Sequence, residues 1–238
     1  MNMKYYVRNE QRDVPRTPSF QMYFDPSETA IVSIDMHEGH LSESPDCPCP
    51  APRGRQVIDA INDFHREARG LGIPVIHVVS ALRPSGIDDV RGTPAAWRIT
   101  MPEYFGPIPG ANEHGLEGTE WTNLRTEVDP RDEFVRTKRR LSAFYPTDLD
   151  FLLRQMGVKT IVFTGINADC CVLNSAFEAS NMNYRVLVPR DVVAGTEPDL
   201  EEAGLSIISL FLGLVVDSRG LLDTWRASIG MKSDSAMV

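Results

Sequence analysis

Residues 159–191 read KTIVFTGINADCCVLNSAFEASNMNYRVLVPRD. KTIVFTG (159–165) is a short apolar run closed by glycine, the pattern of a buried strand. GINADC is a turn, and Cys171 to about Asn181 then predicts a helix. YRVLVPRD (184–191) predicts a second strand. Two strands joined through a helix predict parallel neighbours in a sheet covered on both faces.

The same alternation extends outward. AIVSID (30–35) predicts a strand ending on a carboxylate. SESPDCPCPAPRG (42–54) is a proline-rich loop. Val57, Ile58, Ile61 and Phe64 give helical spacing from about Gln56 to Arg69, stopped by Gly70 and Gly72. IPVIHVVS (73–80) and EFVRTK (133–138) predict strands, and a helix with Thr147 as N-cap runs to about Gln155. A helix over about 197–211, a strand GLVVD (213–217) and a helix near 219–227 complete the order. The predicted fold is a three-layer α/β/α domain with a mostly parallel six-stranded sheet. Residues 1–28, polar and proline-bearing, predict an N-terminal arm, and 29–238 a single domain. Residues 81–132 are irregular. A compact domain rarely keeps so long a stretch without a use, so it is expected to cover the site and to contribute to a subunit interface.

Bulk properties narrow the partners. The chain has 238 residues, 42% hydrophobic and 24% charged, which supports an ordinary packed core. The net charge of −9 repels polyanions, and no basic stripe carries interleaved aromatics, so nucleic acid is not an expected partner. No apolar stretch approaches the roughly 20 residues of a membrane span, and the N-terminus lacks an apolar signal core. The expectation is a cytoplasmic protein with no membrane partner. The four cysteines, Cys47, Cys49, Cys170 and Cys171, form neither a disulfide framework nor a four-ligand zinc pattern.

Three reactive residues fall at predicted strand ends. Asp35 ends one strand, Lys138 ends another, and Cys171 follows a third and opens a helix. Parallel strands end on one sheet edge, where ligands bind. A thiolate is the nucleophilic form of cysteine, and a helix N-terminus and an ammonium both favour it. A carboxylate can take the thiol proton and return it to a leaving amine. Plainer readings exist for each residue taken alone: a small buried cysteine, a turn aspartate, a solvated lysine. Arg136, Arg139 and Arg140, in the one dense basic run, leave room for a substrate carboxylate.

Three segments carry a resemblance: AIVSIDMHEGHL (30–41), TKRRLSAFYPTDLDFLLRQMGVKTIVFTG (137–165) and TGINADCCVLNSAFEA (164–179). Over about residues 28–228 the chain resembles the isochorismatase-like cysteine hydrolases, a group that includes nicotinamidases, N-carbamoylsarcosine amidase and biuret hydrolase. The resemblance implies Asp35, Lys138 and Cys171 as the catalytic triad, selecting Cys171 over Cys170. It implies a cis peptide at Ile166–Asn167 and an oxyanion site formed by the Asn167 and Cys171 backbone N–H groups. It implies a homo-oligomer, a dimer or tetramer.

The departures bear on substrate. His37 stands where most relatives have Gln, so it is expected on the substrate-binding wall with Phe144, Trp97 and Phe211, the last near a biuret hydrolase Gln position. Asn167 and Ala168 replace the usual Ala/Thr pair. SALRPSGIDD (80–89) has no His, so a nicotinamidase-type metal is not expected. Asp35, His37 and His40 form an alternative metal cluster, but the reading expects no metal and no other cofactor. True isochorismatases lack the cysteine, so Cys171 implies C–N cleavage. The expected substrate is a small linear amide: a ureide or N-carbamoyl compound such as biuret or triuret, or a dicarboxylic monoamide. The competing reading is a non-catalytic or redox-sensing binding protein, supported by the adjacent Cys170–Cys171 pair. A metal-dependent hydrolase is a third.

Overall fold

The computed structural model describes residues 3–8, 10–88 and 95–235, with side chains described as far as residue 230. Residues 89–94 of the irregular segment and 236–238 of the predicted domain lie outside the described residues.

The six predicted strands form a continuous parallel sheet. They are β3 (Thr29–Ile34), β4 (Val75–Ser80), β5 (Glu133–Lys138), β6 (Thr160–Ile166), β7 (Arg185–Pro189) and β9 (Gly213–Val216). Their spatial order is β9-β7-β6-β3-β4-β5, and every neighbouring pair is parallel. The sheet has nine strands, so the count of six is corrected. The two-residue β8 (Val193–Ala194) pairs with the end of β6. The other two come from the segment expected as an arm: β1 (Lys4–Val7) and β2 (Glu10–Asp13) form an antiparallel hairpin, and β1 joins β9. The Tyr6 hydroxyl anchors this hairpin at Asp217, with the Arg190 guanidinium over its ring. Every residue of β2 is exposed and β1 is only half-buried, so neither shows the apolar alternation that marks a strand in sequence.

Alternation along the buried strands supplies two cores. Ala30, Val32 and Ile34 of β3 and Ile161 and Phe163 of β6 pack with Leu149, Leu153, Val172, Ala176 and Leu205, from the helices Leu149–Gln155, Cys171–Asn181 and Pro198–Ile207. Ile31 and Val162 point the other way, onto Ile61, Phe64 and Ala68 of the helix Ile58–Gly70 and Leu221 and Trp225 of the helix Ser218–Ser235. Phe64 stacks on Trp225 with centroids 6.1 Å apart. Burying each large side chain contributes roughly 1.5–3 kcal/mol. The result is the three-layer arrangement. The N-cap of the helix Leu149–Gln155 is Asp148 and not Thr147 as predicted; Thr147 stands one residue earlier, where its hydroxyl accepts the Leu149 N–H at 3.1 Å. Among the described residues no helix is long and apolar enough to cross a membrane.

Gly165 is the register partner of Ile34 where β6 pairs with β3. Its φ is +102°, and a Cβ there would lie 2.2 Å from the Ile34 carbonyl oxygen. Gly165→Ala should therefore lower stability by at least about 1–3 kcal/mol from backbone strain alone. Urea unfolding checks this, and an unchanged midpoint would refute it.

Candidate active site

β3, β4, β5 and β6 are parallel, so their carboxyl ends share one edge. Asp35 follows β3 with φ +54°, a left-handed conformation uncommon outside glycine, Asn and Asp. Ser80 and Lys138 are register partners at the ends of β4 and β5, just past an irregularity in pairing after Val78. Cys171 is the first residue of its helix.

The four side chains interlock. The Asp35 Oδ1 accepts from the Ser80 N–H (3.1 Å) and the Ser80 hydroxyl (2.9 Å). The Lys138 ammonium lies 2.7 Å from Asp35 Oδ2, 3.1 Å from Ser80 Oγ and 3.4 Å from Cys171 Sγ. Asp35 is 1% exposed and Lys138 3%. Burial alone raises a carboxyl, but here it is overridden: the Lys138 ammonium holds Asp35 well below the usual carboxylate range. Burial opposes the Lys138 charge, yet Asp35 and Cys171 push its pKa above the ordinary lysine value. The Cys170 thiol and burial both raise the Cys171 thiol, against the pull of Lys138. The resting site thus pairs an ionised Asp35 and Lys138 with a protonated thiol, and nucleophilic attack requires a base.

These groups open into a cavity of about 470 Å³. Asp35, Ser80, Lys138, Asn167, Cys170 and Cys171 lie on its wall. The helix Ala96–Phe105 covers it, with Ala96, Trp97, Thr100 and Met101 turned inward and Ile99, Tyr104 and Phe105 outward and exposed. The irregular segment therefore does cover the site. The peptide Ile166–Asn167 is cis, as the resemblance implies.

An isochorismatase domain matches residues 29–219. The chain belongs to the isochorismatase family. A ureidoacrylate amidohydrolase RutB from Methylorubrum extorquens is 28% identical over 207 residues, covering 82% of this chain and 81% of that protein. N-carbamoylsarcosine amidase from an Arthrobacter species is 23% identical over 177 residues, covering 74% and 63%. The crystal structure of a cysteine hydrolase from Pseudomonas syringae pv. phaseolicola has a TM-score of 0.73 over 86% of this chain and 95% of that one. At 19% identity this last likeness is one of fold.

Within this isochorismatase-family site, the residues expected on the substrate wall divide. Trp97 lines the cavity, edge-on to His114 at 5.2 Å. Phe144 does not: it is buried in the core, stacked on Tyr184. Phe211 does not either. It is 75% exposed on the turn Ile208–Leu212, so the family position that suggested it does not place a wall residue here. His37 is fully buried behind the cavity, with its Nε2 3.6 Å from Asp35 Oδ1. Of the basic run, Arg136 lies over the Phe134 ring, and Arg140 donates to the Asp88 and Arg139 carbonyls. Arg139 lines the cavity, pairs with Asp88 and Glu117, and keeps its Nη1 buried without a partner.

Sequence reasoning missed Ser80, Cys49, Thr196 and His114, all of them on the cavity wall. Ser80 was discoverable as the last residue of a strand ending on the active edge. His114 carried no local signal, because it comes from the irregular segment.

Proposed function

We propose that this protein hydrolyses the C–N bond of a small linear amide through a cysteine-bound acyl intermediate. The carrying observation is the Lys138 ammonium, placed at once 2.7 Å from Asp35 Oδ2 and 3.4 Å from Cys171 Sγ. Asp35 takes the thiol proton as Cys171 Sγ attacks the carbonyl carbon. The Asn167 and Cys171 N–H groups receive the oxyanion, and Lys138 offsets the developing negative charge. Asp35 then protonates the nitrogen, the C–N bond breaks, and ammonia or an amine leaves. Water, deprotonated by Asp35, attacks the thioester, the C–S bond breaks, and the thiol is restored.

The names of the two relatives both denote an N-carbamoyl group on a carboxylic acid. The favoured substrate is therefore a ureide or N-carbamoyl acid, with a dicarboxylic monoamide next. Ammonia release across a panel of such amides tests the reading, and no turnover of any of them would overturn it. In the same assay Ser80→Ala should fold normally but turn over about 10–100-fold more slowly. It loses a hydrogen bond to a charged partner, a contribution of about 1.5–3 kcal/mol. Full activity in Ser80→Ala would refute the bridging role.

A further inference from the structure

Three imidazoles gather beside the triad. His37 and His40 follow β3, and His114 arrives from the irregular segment. Leu82 N–H donates to Gly115 O (2.5 Å) and Glu117 N–H donates to Leu82 O (2.9 Å), pinning that segment to the end of β4. One ligating atom from each ring lies within 4.8 Å of the other two.

The hydrogen bonds fix which nitrogens are available. His37 Nδ1 is 2.8 Å from Trp121 O, and His40 Nδ1 is 2.9 Å from Cys49 O. A carbonyl oxygen only accepts, so both Nδ1 atoms carry hydrogen. In each neutral ring the Nε2 is then a bare lone pair. Gly39 leaves room for the first of these bonds, since a Cβ there would lie 2.9 Å from Trp121 O and 3.0 Å from His37 Nδ1. A ring held by Nδ1–H to a backbone carbonyl, with Nε2 free, is the arrangement that orients a metal-ligating histidine.

What the His37 lone pair faces calls for a cation. His37 is fully buried, and its Nε2 has no hydrogen-bond partner. The Asp35 Oδ1, 3.6 Å away, offers only more lone pairs. Buried polar atoms seldom stay unpaired. His114 Nε2–H donates to His40 Nε2 at 3.1 Å, and a metal would displace that proton and take both nitrogens. Two nitrogens on one tetrahedral zinc, each at about 2.0–2.1 Å, stand roughly 3.3 Å apart. Three neutral imidazoles suit zinc and its first-row neighbours and not the oxygen-seeking magnesium or calcium.

We infer that His37, His40 and His114 form a binding site for a divalent transition-metal ion, zinc by preference. His40 and His114 line the cavity that holds Cys171, so a fourth position would face the substrate and take one of its oxygen or nitrogen atoms. The ligand set is separate from the histidine-free stretch 80–89 after β4. His114, 74 residues beyond His40, is what the sequence reading lacked.

The test is binding without substrate, so it stands or falls apart from the amide assay. Full-length protein is stripped with chelator and dialysed. It is then titrated with Co²⁺, read by visible absorption, and with Zn²⁺, read by calorimetry and elemental analysis. One ion per chain, the absorption of a four- or five-coordinate cobalt site and a raised melting temperature are expected. His114→Ala should weaken binding about 100-fold or more; His114→Asn serves if that variant fails to fold. His37→Gln should weaken it similarly, while Cys171→Ser and Cys49→Ser should bind as the parent does. No binding at micromolar metal overturns the site. So does binding that survives His114 and His37 replacement or disappears with either thiol.

Discussion

Cys171→Ala is expected to reduce amide turnover by about 10⁴-fold or more, while Cys170→Ala stays within about tenfold of the parent. The two thiols are adjacent in sequence and both reach the cavity. They differ in what surrounds them. Cys171 opens the helix Cys171–Asn181 and lies 3.4 Å from the Lys138 ammonium. Its replacement removes the atom that would become the thioester, so no other group can substitute. Cys170 is the residue before that helix and has no such contact with Lys138 among the hydrogen bonds of the described residues. Ammonia release under saturating substrate gives the ratio. Intact-protein mass spectrometry with a slow substrate should show an adduct on the parent chain and none on Cys171→Ala. Equal activity in parent and Cys171→Ala would overturn the nucleophile assignment. An absence of any adduct, joined to reversible Cys170–Cys171 oxidation that alters ligand binding, would favour the redox-sensing reading instead.

The largest expected effect on stability lies away from the site. Asp132→Ala should cost about 3–5 kcal/mol, because it leaves a buried charge without its partner. The Asp132 carboxylate accepts from Arg69 Nε (2.9 Å), from Arg69 Nη2 (2.6 Å), from the Asp129 N–H (2.8 Å), and contacts His77 Nε2 at 3.0 Å. Asp132, Arg69 and His77 are all buried. This network ties the helix Ile58–Gly70 and β4 to the turn that enters β5. Without Asp132 the Arg69 guanidinium remains in an apolar layer. For a chain of this size the melting temperature should fall by roughly 10 °C. Adding Arg69→Met should recover much of the loss, since the stranded charge is then gone.

The same network sets an acid limit. Burial alone raises the Asp132 carboxyl, but His77 and Arg69 together hold it far below the usual carboxylate range. A carboxyl depressed in the folded state binds protons more weakly than in the unfolded chain. Its contribution is fully present above the unfolded value of about 4 and is lost as the pH falls below that toward the folded value. Urea midpoints should therefore drop more steeply below about pH 4 in the parent than in Asp132→Ala. Parallel acid profiles would refute this.

Much of the molecule was legible because it is written in local periodicity. The runs 30–35, 159–165 and 184–191 each hold a continuous apolar stretch, which marks strands covered on both faces, and all became parallel neighbours in the core of the sheet. The residue types at their ends then pointed to Asp35, Lys138 and Cys171. Where periodicity was weak the reading failed. The polar β1–β2 hairpin looked like an arm because it pairs through backbone hydrogen bonds at the rim, which leave little mark on side-chain choice. Phe211 is apolar and sits near a strand, yet it faces outward on the turn Ile208–Leu212.

By itself, then, the amino-acid order determined the parallel core and the edge on which the reactive residues fall, because both follow from which side chains must be buried. Only the tertiary structure decided which neighbours those residues meet. Ser80 bridges Asp35 and Lys138 because β4 and β5 bring their last residues into register. His114 joins His37 and His40 because the loop after β4 folds back and is clamped at Leu82. Such contacts depend on how irregular segments close over a completed sheet, and no spacing within the segments themselves records that.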